Sequence, residues 1–538
     1  MNEQNGLPEL PPGWVWTTVG EISDLIHYGY TESATSEDTG TKFLRITDIQ
    51  NNTVDWQSVP FCKIGGKESE RYLLSENDLL FARTGATVGK SFLIRGQIPK
   101  SIFASYLIRI ILSKEINATF VYNFFQSSYY WLQIRENQLG IGQPNVNGTI
   151  LSTLTLPLPP LPEQSRIVAR IEELFTKLDA GVAALRRLQK QLKRYRQAVL
   201  RDAVTGELTR QWRKDEAADS ASSLESGADL LKRILRERRA RWEAAQLEKF
   251  AAAGKTPKND DWKRKYQEPA APDTANLPEL PDGWTRVSIG QIIEDLKYGT
   301  SQKCSYENVG VPVLRIPNVG NGVINRSDLK YAELPETEYE QLKLKAGDIL
   351  LIRSNGSVSL VGKTALVRES ESDFAYAGYL IRLRLNPSFI YSGYLQIAFA
   401  SNEMRIQIEL PARSTSGVHN INSDEVKALQ TPLPPLAEQQ AIVAEVERLL
   451  SVADALAQTV ERGLKQAARL RQSILKRAFA GRLVAQNERD EPASVLLERI
   501  KAERAAKESG ERARKAPAKT RKIKKNKAVQ GVLPYCFD

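Results

Sequence analysis

The stretch Pro157-Leu158-Pro159-Pro160-Leu161-Pro162-Glu163-Gln164 decides the fold, because it returns as Pro432-Leu433-Pro434-Pro435-Leu436-Ala437-Glu438-Gln439 and the sequence changes period behind it both times. Proline lacks an amide donor and locks φ, so each run breaks the element before it and permits a helix to start behind it. Behind the first run, Ile167, Ile171, Leu174, Leu178, Gly181, Leu185, Leu188, Leu192, Tyr195 and Val199 alternate spacings of four and three. Behind the second, Ile442, Val446, Leu449, Ala453, Leu456, Val460, Gly463, Ala467, Leu470 and Ile474 do the same. That alternation is the a/d seam of a coiled coil. Each helix should extend ~60 Å at 1.5 Å per residue, and two seams in one chain can pair with each other.

The correspondence extends outward from these runs. Leu7-Pro8-Glu9-Leu10 with Gly13-Trp14 recurs as Leu277-Pro278-Glu279-Leu280 with Gly283-Trp284, an offset of 270. Phe43-Leu44-Arg45-Ile46 answers to Val313-Leu314-Arg315-Ile316, and Asp78-Leu79-Leu80 with Arg83 answers to Asp348-Ile349-Leu350 with Arg353. The offset steps to 273 at Val88-Gly89-Lys90 and Tyr106-Leu107-Ile108-Arg109, then to 275 at Asn145-Val146-Asn147 and the proline runs. Such steps are loop insertions between two copies of one fold. Stacked repeats run at roughly 20 to 50 residues, so this much longer period is duplication of a domain pair. Ahead of each proline run, short β-branched or aromatic stretches such as Lys42 to Ile46, Leu79 to Ala82 and Tyr106 to Leu112 predict a strand-rich α+β unit. Each long helix should stop near a glycine, Gly206 or Gly481. A shorter amphipathic helix follows, marked by Leu230, Leu231 and Ile234 or by Leu496, Leu497 and Ile500. Ala251 to Asn276 reads as a linker.

At 538 residues the chain exceeds one ordinary core, and its composition, 41% hydrophobic and 26% charged, is that of a soluble protein. With neither a charged leader nor an apolar run at the start, a cytoplasmic location is expected. Cys62, Cys304 and Cys536 are far apart and lack metal-ligand spacing, so neither a disulfide framework nor a zinc site is expected. The formal charge of +11 invites a nucleic-acid reading, but Glu511 to Lys527 holds nine Lys or Arg against one Glu and leaves only +3 for the rest. Charge alone therefore does not establish DNA binding.

Three features imitate chemistry. Gly356 to Thr364 nearly writes a phosphate-binding loop, but it has five residues between its first glycine and Gly362-Lys363 where that loop has four, and the counterpart at Gly85 to Ser91 has three. Amides that must converge on phosphate oxygens do not absorb either change, so a glycine hairpin is the better account. Asn386-Pro387-Ser388-Phe389 resembles the tetrapeptide of adenine methyltransferases with a serine for the second proline, and nothing like a glycine-rich cofactor loop precedes it. His27 and His419 occupy non-equivalent positions, so no shared metal or acid-base site follows. The chain reads as catalytically empty, with no catalytic residue and no metal site.

The duplicated layout, the Leu-Pro-x-Leu-Pro-x-Gly-Trp openings, the Gly-Asp-Ile-Leu-Leu-Ile-Arg element at Gly347 to Arg353, and the twice-occurring Pro-Leu-Pro-Pro-Leu-x-Glu-Gln helix starts resemble the specificity subunits of Type I restriction-modification enzymes. The resemblance covers nearly the whole chain, leaving out the tail from about Glu511. It implies an α+β fold with two target recognition domains, joined by two long helices that form an antiparallel coiled coil with pseudo-two-fold internal duplication. The expected domains are 1–156 (first recognition domain), 157–210 (central long helix), 211–276 (short helix and linker), 277–430 (second recognition domain), 431–485 (distal long helix), 486–510 (short helix) and 511–538 (basic tail). It further implies a non-catalytic subunit that reads a split, non-palindromic DNA target and docks two methyltransferase subunits and, through them, restriction subunits. Half-sites should lie on one face of the duplex, ~10 bp apart. The partners would use S-adenosylmethionine, ATP and Mg²⁺, and this chain would bind none of them.

DNA-reading residues should be polar and on loops. Arg83, Thr84 and Lys90 are expected with Arg353, Ser354, Asn355 and Lys363, since Arg pairs bidentately with guanine and Asn with adenine. The Tyr-Gly loops add Tyr28, Thr31, Tyr298, Thr300, Ser301 and Lys303, and the loops before the helix starts add Gln143, Asn145, Asn147, His419 and Asn420. The competing readings are a self-contained modification enzyme, for which no cofactor fold is evident, and a coiled-coil adaptor, whose binding would show no strong salt dependence.

Overall fold

In the computed structural model, the described residues are 8–50, 52–136, 146–218, 225–275, 277–320, 322–410 and 417–515. They divide into two units, one drawn from Met1–Ala184 with Gly463–Asp538 and the other from Leu185–Arg462. Gln143 and Asn145 lie outside the described residues, as does the tail beyond Lys515.

In the first unit a four-stranded antiparallel sheet runs Ser23–Tyr28, Leu107–Leu112, Leu79–Ala82, Ser91–Leu93. In the second the same order is Asp295–Tyr298, Leu380–Arg384, Ile349–Ile352, Thr364–Leu366. The central strands Leu79–Ala82 and Ile349–Ile352 are buried along their whole length, as unbroken apolar runs require. Beside each sheet lies a parallel pair, Lys42–Leu44 with Ser101–Phe103 and Val311–Leu314 with Ala375–Tyr376. A two-stranded ribbon closes each repeat, pairing Val15–Thr18 with Thr155–Leu158 and Thr285–Ser288 with Gln430–Leu433.

The proline-glutamate-glutamine runs explain themselves here. The long helices, Leu161–Thr205 and Leu436–Phe479, start directly after the ribbon. Glu163 and Glu438 stand in their first turns, each 1% exposed, where the helix dipole favours negative charge. Each carboxylate accepts the indole N–H of the Gly-Trp opening, Trp14 to Glu163 at 3.0 Å and Trp284 to Glu438 at 2.7 Å. Burial pushes the Glu163 carboxyl up, and the Trp14 bond opposes that shift. Glu438 also accepts from the Thr209 hydroxyl at 2.6 Å and pairs with Arg213 at 2.5 Å. The neighbouring glutamines are fully buried: Gln164 accepts from the Asn117 amide at 3.0 Å and donates to the Pro159 carbonyl at 3.0 Å, while Gln439 does the same with Tyr391 at 2.8 Å and Pro434 at 3.0 Å.

Within each unit the two helix segments run antiparallel. In the second, Val199, Leu200 and Ala203 share a core with Ile442, Val443 and Val446 while Arg196 pairs with Asp454. In the first, Ile167 and Ile171 share a core with Ile474, Leu475 and Phe479 while Arg471 pairs with Asp179 and lies 4.1 Å over Phe175. The 275 offset carries Asp179 to Asp454 and Arg196 to Arg471, so each pair joins one copy's aspartate to the other copy's arginine.

That pairing corrects part of the seam. Leu456 is 44% and Leu470 49% exposed, whereas Ala453, Val460, Ala467 and Ile474 are buried. Ala457 and Arg471 turn inward in place of Leu456 and Leu470, and Leu464 is half-buried beside Gly463. On the other helix Val182 and Arg196 turn inward in place of Gly181 and Tyr195. An α-helix turns every 3.6 residues, not 3.5, so some seam positions slip by one. Arginine can fill such a position because its stem is apolar and its guanidinium reaches an aspartate on the other helix. Of the remaining seam residues, Ile167, Ile171, Leu192, Ile442 and Val446 are buried, while Leu174, Leu178, Leu185, Leu188 and Leu449 are half-buried.

After each long helix the chain turns at Gly206 or Gly481, with φ +77 and +63. A Cβ there would come within 2.5 Å of Pro281 or 2.3 Å of Pro11, each from a Gly-Trp opening. Helix Gly227–Ala252 then docks on the second unit through Leu230, Ile234 and Arg238, whose guanidinium donates to the carbonyls of Gly290 at 2.7 Å and Ile293 at 2.8 Å. Helix Ala493–Lys515 docks likewise on the first through Leu496, Leu497 and Ile500, with Arg504 donating to Gly20 and Glu21, both at 3.1 Å. The segment read as a linker folds back on its helix, stacking Trp262 on Trp242 with centroids 5.9 Å apart.

Two outcomes are expected in thermal unfolding. Val460→Asp, a charge at a 2% exposed seam position, should cost upward of ~3 kcal/mol, while Leu456→Asp should cost less than about 1 kcal/mol; equal losses would reject the corrected register. Trp284→Phe, which strips a buried carboxylate of its indole donor, should cost about 1–3 kcal/mol.

Candidate nucleic-acid interface

Arg83 and Arg353 follow the buried central strands at the same point of each repeat. The Arg83 amide donates to the Tyr106 carbonyl at 3.1 Å and its carbonyl accepts from Val146 at 3.0 Å; for Arg353 the partners are Tyr379 at 3.0 Å and Ile421 at 2.9 Å. Each guanidinium lies over a tyrosine from the neighbouring Tyr-Gly turn, Arg83 4.9 Å from the Tyr28 centroid and Arg353 4.4 Å from that of Tyr298. The two hydroxyls accept backbone amides, Gly148 to Tyr28 at 3.1 Å and Ser423 to Tyr298 at 2.8 Å. Glycine follows each tyrosine by necessity: a Cβ on Gly29 would sit 2.3 Å from the Ala104 carbonyl oxygen and one on Gly299 2.1 Å from that of Tyr376.

In the second unit these elements enclose a cleft of about 620 Å³. Of the predicted residues, Thr300, Ser301, Arg353, Ser354 and Asn420 line it. Ser354 and Asn420 are partners in a short antiparallel pair, as are Asn355 and His419. Tyr298, Lys303, Asn355, Lys363 and His419 are not among the lining residues. Several predicted side chains have architectural work. The Thr300 hydroxyl donates to Glu338 at 2.7 Å, Asn355 accepts from the Ser357 amide at 2.9 Å, and Asn147 caps helix Gly148–Thr153 by accepting from Ile150 at 2.8 Å. Thr84 precedes the turn Gly85–Thr87 and Lys90 is exposed at its far side, while Thr31 is exposed beyond Tyr30.

Gln302, which lies in the predicted Tyr298 to Lys303 loop without having been singled out, also lines the cleft, and sequence reasoning missed Arg315, Lys330 and Tyr379 there. Tyr379 and its counterpart Tyr106 are 64% and 63% exposed although each immediately precedes a buried strand. Their repetition at an offset of 273 was the available signal, masked by the strand letters that follow. Arg315 is partly spent on Asp328 at 2.9 Å, and Lys330 holds its ammonium 4.5 Å over the Tyr306 ring.

The features that imitate chemistry have structural roles. The glycine-rich loops join paired strands as hairpins, with Gly89 and Gly362 at φ +79 and +77. Asn386 builds a turn by accepting from the Ser388 amide at 3.0 Å, which buries Phe389 under Arg233. His27, 8% exposed, packs at 5.4 Å edge-on to Phe103; burial above all, then the charges of Arg109 and Arg71, lower its pKa to about 4. Among the described residues no group of three or more His, Cys, Asp or Glu is placed to hold a metal, and no helix is long and apolar enough to cross a membrane.

A family model, the Type I restriction modification DNA specificity domain, matches residues 11–191 and 281–466. The chain is 29% identical over 517 residues to the Type I restriction enzyme EcoKI specificity subunit of Escherichia coli (strain K12), covering 93% of this chain and 97% of that one. It is 27% identical over 515 residues to the StySPI specificity subunit of Salmonella potsdam, covering 92% and 96%. A solved structure concerned with complex assembly and conformational transition of the type I R-M system shares the fold, with a TM-score of 0.61 and 20% identity over 88% of this chain and 100% of that chain.

The His27 environment makes a pH prediction. Its folded-state pKa lies below the ordinary 6.5, so between pH 6.5 and about 4 the unfolded chain binds a proton that the native form excludes. Stability is therefore lost as pH falls through that window, by up to ~3 kcal/mol at ~1.4 kcal/mol per pKa unit. His27→Phe should remove this component from the pH profile of chemical denaturation.

Proposed function

The chain belongs to the Type I restriction modification DNA specificity family, and from that membership we propose that it binds duplex DNA through its two repeats and reads a bipartite, non-palindromic target. The observation that carries this reading is the duplicated site: the same Arg-Tyr floor is built twice, and the residues that line the cleft beside it in the second repeat differ from their counterparts in the first. One chain with two unlike reading domains suits two unlike half-sites. DNA-contacting residues are drawn from Tyr28, Thr31, Arg83, Thr84, Lys90 and Asn147 in the first repeat. In the second they are drawn from Tyr298, Thr300, Ser301, Lys303, Arg353, Ser354, Asn355, Lys363, His419 and Asn420, to which Gln302, Lys330 and Tyr379 are added.

The long helices dock two methyltransferase subunits and, through these, restriction subunits, in the cytoplasm. S-adenosylmethionine, ATP and Mg²⁺ serve those partners, and this chain supplies recognition. Exposed apolar side chains on the helices, Tyr195, Val452, Leu456 and Leu470, support a docking role, since none faces the seam.

Methylome sequencing tests the proposal. Cells carrying this gene with its methyltransferase partner should show a split, non-palindromic methylated-adenine motif that vanishes when only this gene is removed. A motif that persists without it would reject the proposal.

A further inference from the structure

The two repeats supply an internal control on which residues discriminate bases. Their floors coincide. Arg83 over Tyr28 beside exposed Tyr106 is matched by Arg353 over Tyr298 beside exposed Tyr379, with equivalent backbone bonds on both sides of each arginine. Both guanidinium groups bury Nε without a hydrogen-bond partner, which leaves contacts to the outer nitrogens; on Arg83 one of these already donates to the Ser105 carbonyl at 3.5 Å. Their walls differ. At the offset of 270, Gln302 stands where the first repeat has Glu32, and Lys330 stands where it has Pro60. Tyr306, which carries the Lys330 ammonium over its ring, replaces Ser36.

Resting on the reading of this chain as a DNA-recognition subunit, we infer that the repeated Arg-Tyr-Tyr floor is a sequence-independent clamp on the sugar-phosphate backbone, and that Gln302 and Lys330 make base discrimination in the second repeat. A constellation held constant in two domains that read different half-sites cannot tell those half-sites apart. What both share is the backbone, whose contacts set register and carry no sequence information. An arginine pinned by ring stacking and backbone bonds suits a fixed phosphate position. The divergent wall has the chemistry of readout: Gln pairs with the N6 and N7 edge of adenine, Lys with guanine O6 and N7, and Glu, its counterpart in the first repeat, accepts from cytosine N4. This reassigns Arg83 and Arg353 from the guanine-reading role that their side-chain type alone suggests.

The test uses the full chain in complex with its methyltransferase partner, with two readouts: the methylated motif, and binding to specific and unrelated duplexes over a salt series. Arg353→Gln should leave every base of the motif unchanged. It should weaken binding to both duplexes about equally, by roughly ten-fold, and lower the slope of log K against log salt by about one. Tyr379→Ser, a change at an exposed position, should also weaken both duplexes equally with the motif intact, which guards against a folding defect in the arginine variant. Gln302→Glu and Lys330→Met should each change the second half-site and leave the first as it was. A changed motif in Arg353→Gln or Tyr379→Ser, or an unchanged one in both Gln302→Glu and Lys330→Met, would overturn the inference. A wild-type complex that binds no duplex overturns the underlying reading instead, and it is recognised before any variant is made.

Discussion

A buried carboxylate at the root of each long helix is the constraint on which the rest depends. Glu163 and Glu438 are out of water, and an unpartnered charge there would cost several kcal/mol. The indole of the Gly-Trp opening satisfies one oxygen of each carboxylate, and in doing so it ties the first strand of a repeat to the first turn of its helix across about 150 residues. The adjacent glutamine binds the loop before the sheet-packing helices and the proline carbonyl behind it. Four residue types, Trp, Pro, Glu and Gln, therefore orient a helix of about 65 Å, at 1.5 Å per residue, on a sheet domain.

That orientation is what makes the coiled-coil pairing reciprocal. Each Asp-Arg pair joins one copy's aspartate to the other copy's arginine, and each glycine behind a long helix is closed by a proline from the other copy's opening. Exposed ion pairs of this kind contribute at most about 1 kcal/mol. Their effect is on register, because a shift of one residue would leave both arginines at half-buried positions without a partner. The apolar contacts of Val199, Leu200 and Ala203 with Ile442, Val443 and Val446 supply the larger share of stability.

The repeats also separate what the duplicated fold holds constant from what it lets vary. Residues that hold the chain together recur at matched positions: the tryptophans, the glutamate-glutamine pairs, Arg238 with Arg504, and the asparagines that cap the last helix before each ribbon. The positions that line the second repeat's cleft diverge, with Gln302 and Lys330 standing where the first repeat has Glu32 and Pro60. Loops can absorb that change because the sheet beneath them is buried and its central strands are unbroken.

By itself the sequence determined the duplication, the strand-rich and helical halves of each copy, and the existence of two long helices, because those rest on letter identity at a fixed offset and on local period. It also placed the Tyr-Gly and Arg loops, which the fold does bring together. It did not show why Trp14 and Glu163 recur, since they lie 149 residues apart and nothing local links an indole to a carboxylate. The helix face was misjudged at Leu456 and Leu470 for a related reason: apolar letters are the sole guide to a seam while its partner is unknown, and the partner's aspartates let Arg471 and Arg196 take inward positions. Tertiary structure alone decided which polar residues share a cleft. Gln302, Lys330 and Tyr379 come from three separate loops and strands, and only the pairing of those elements sets them beside Arg353.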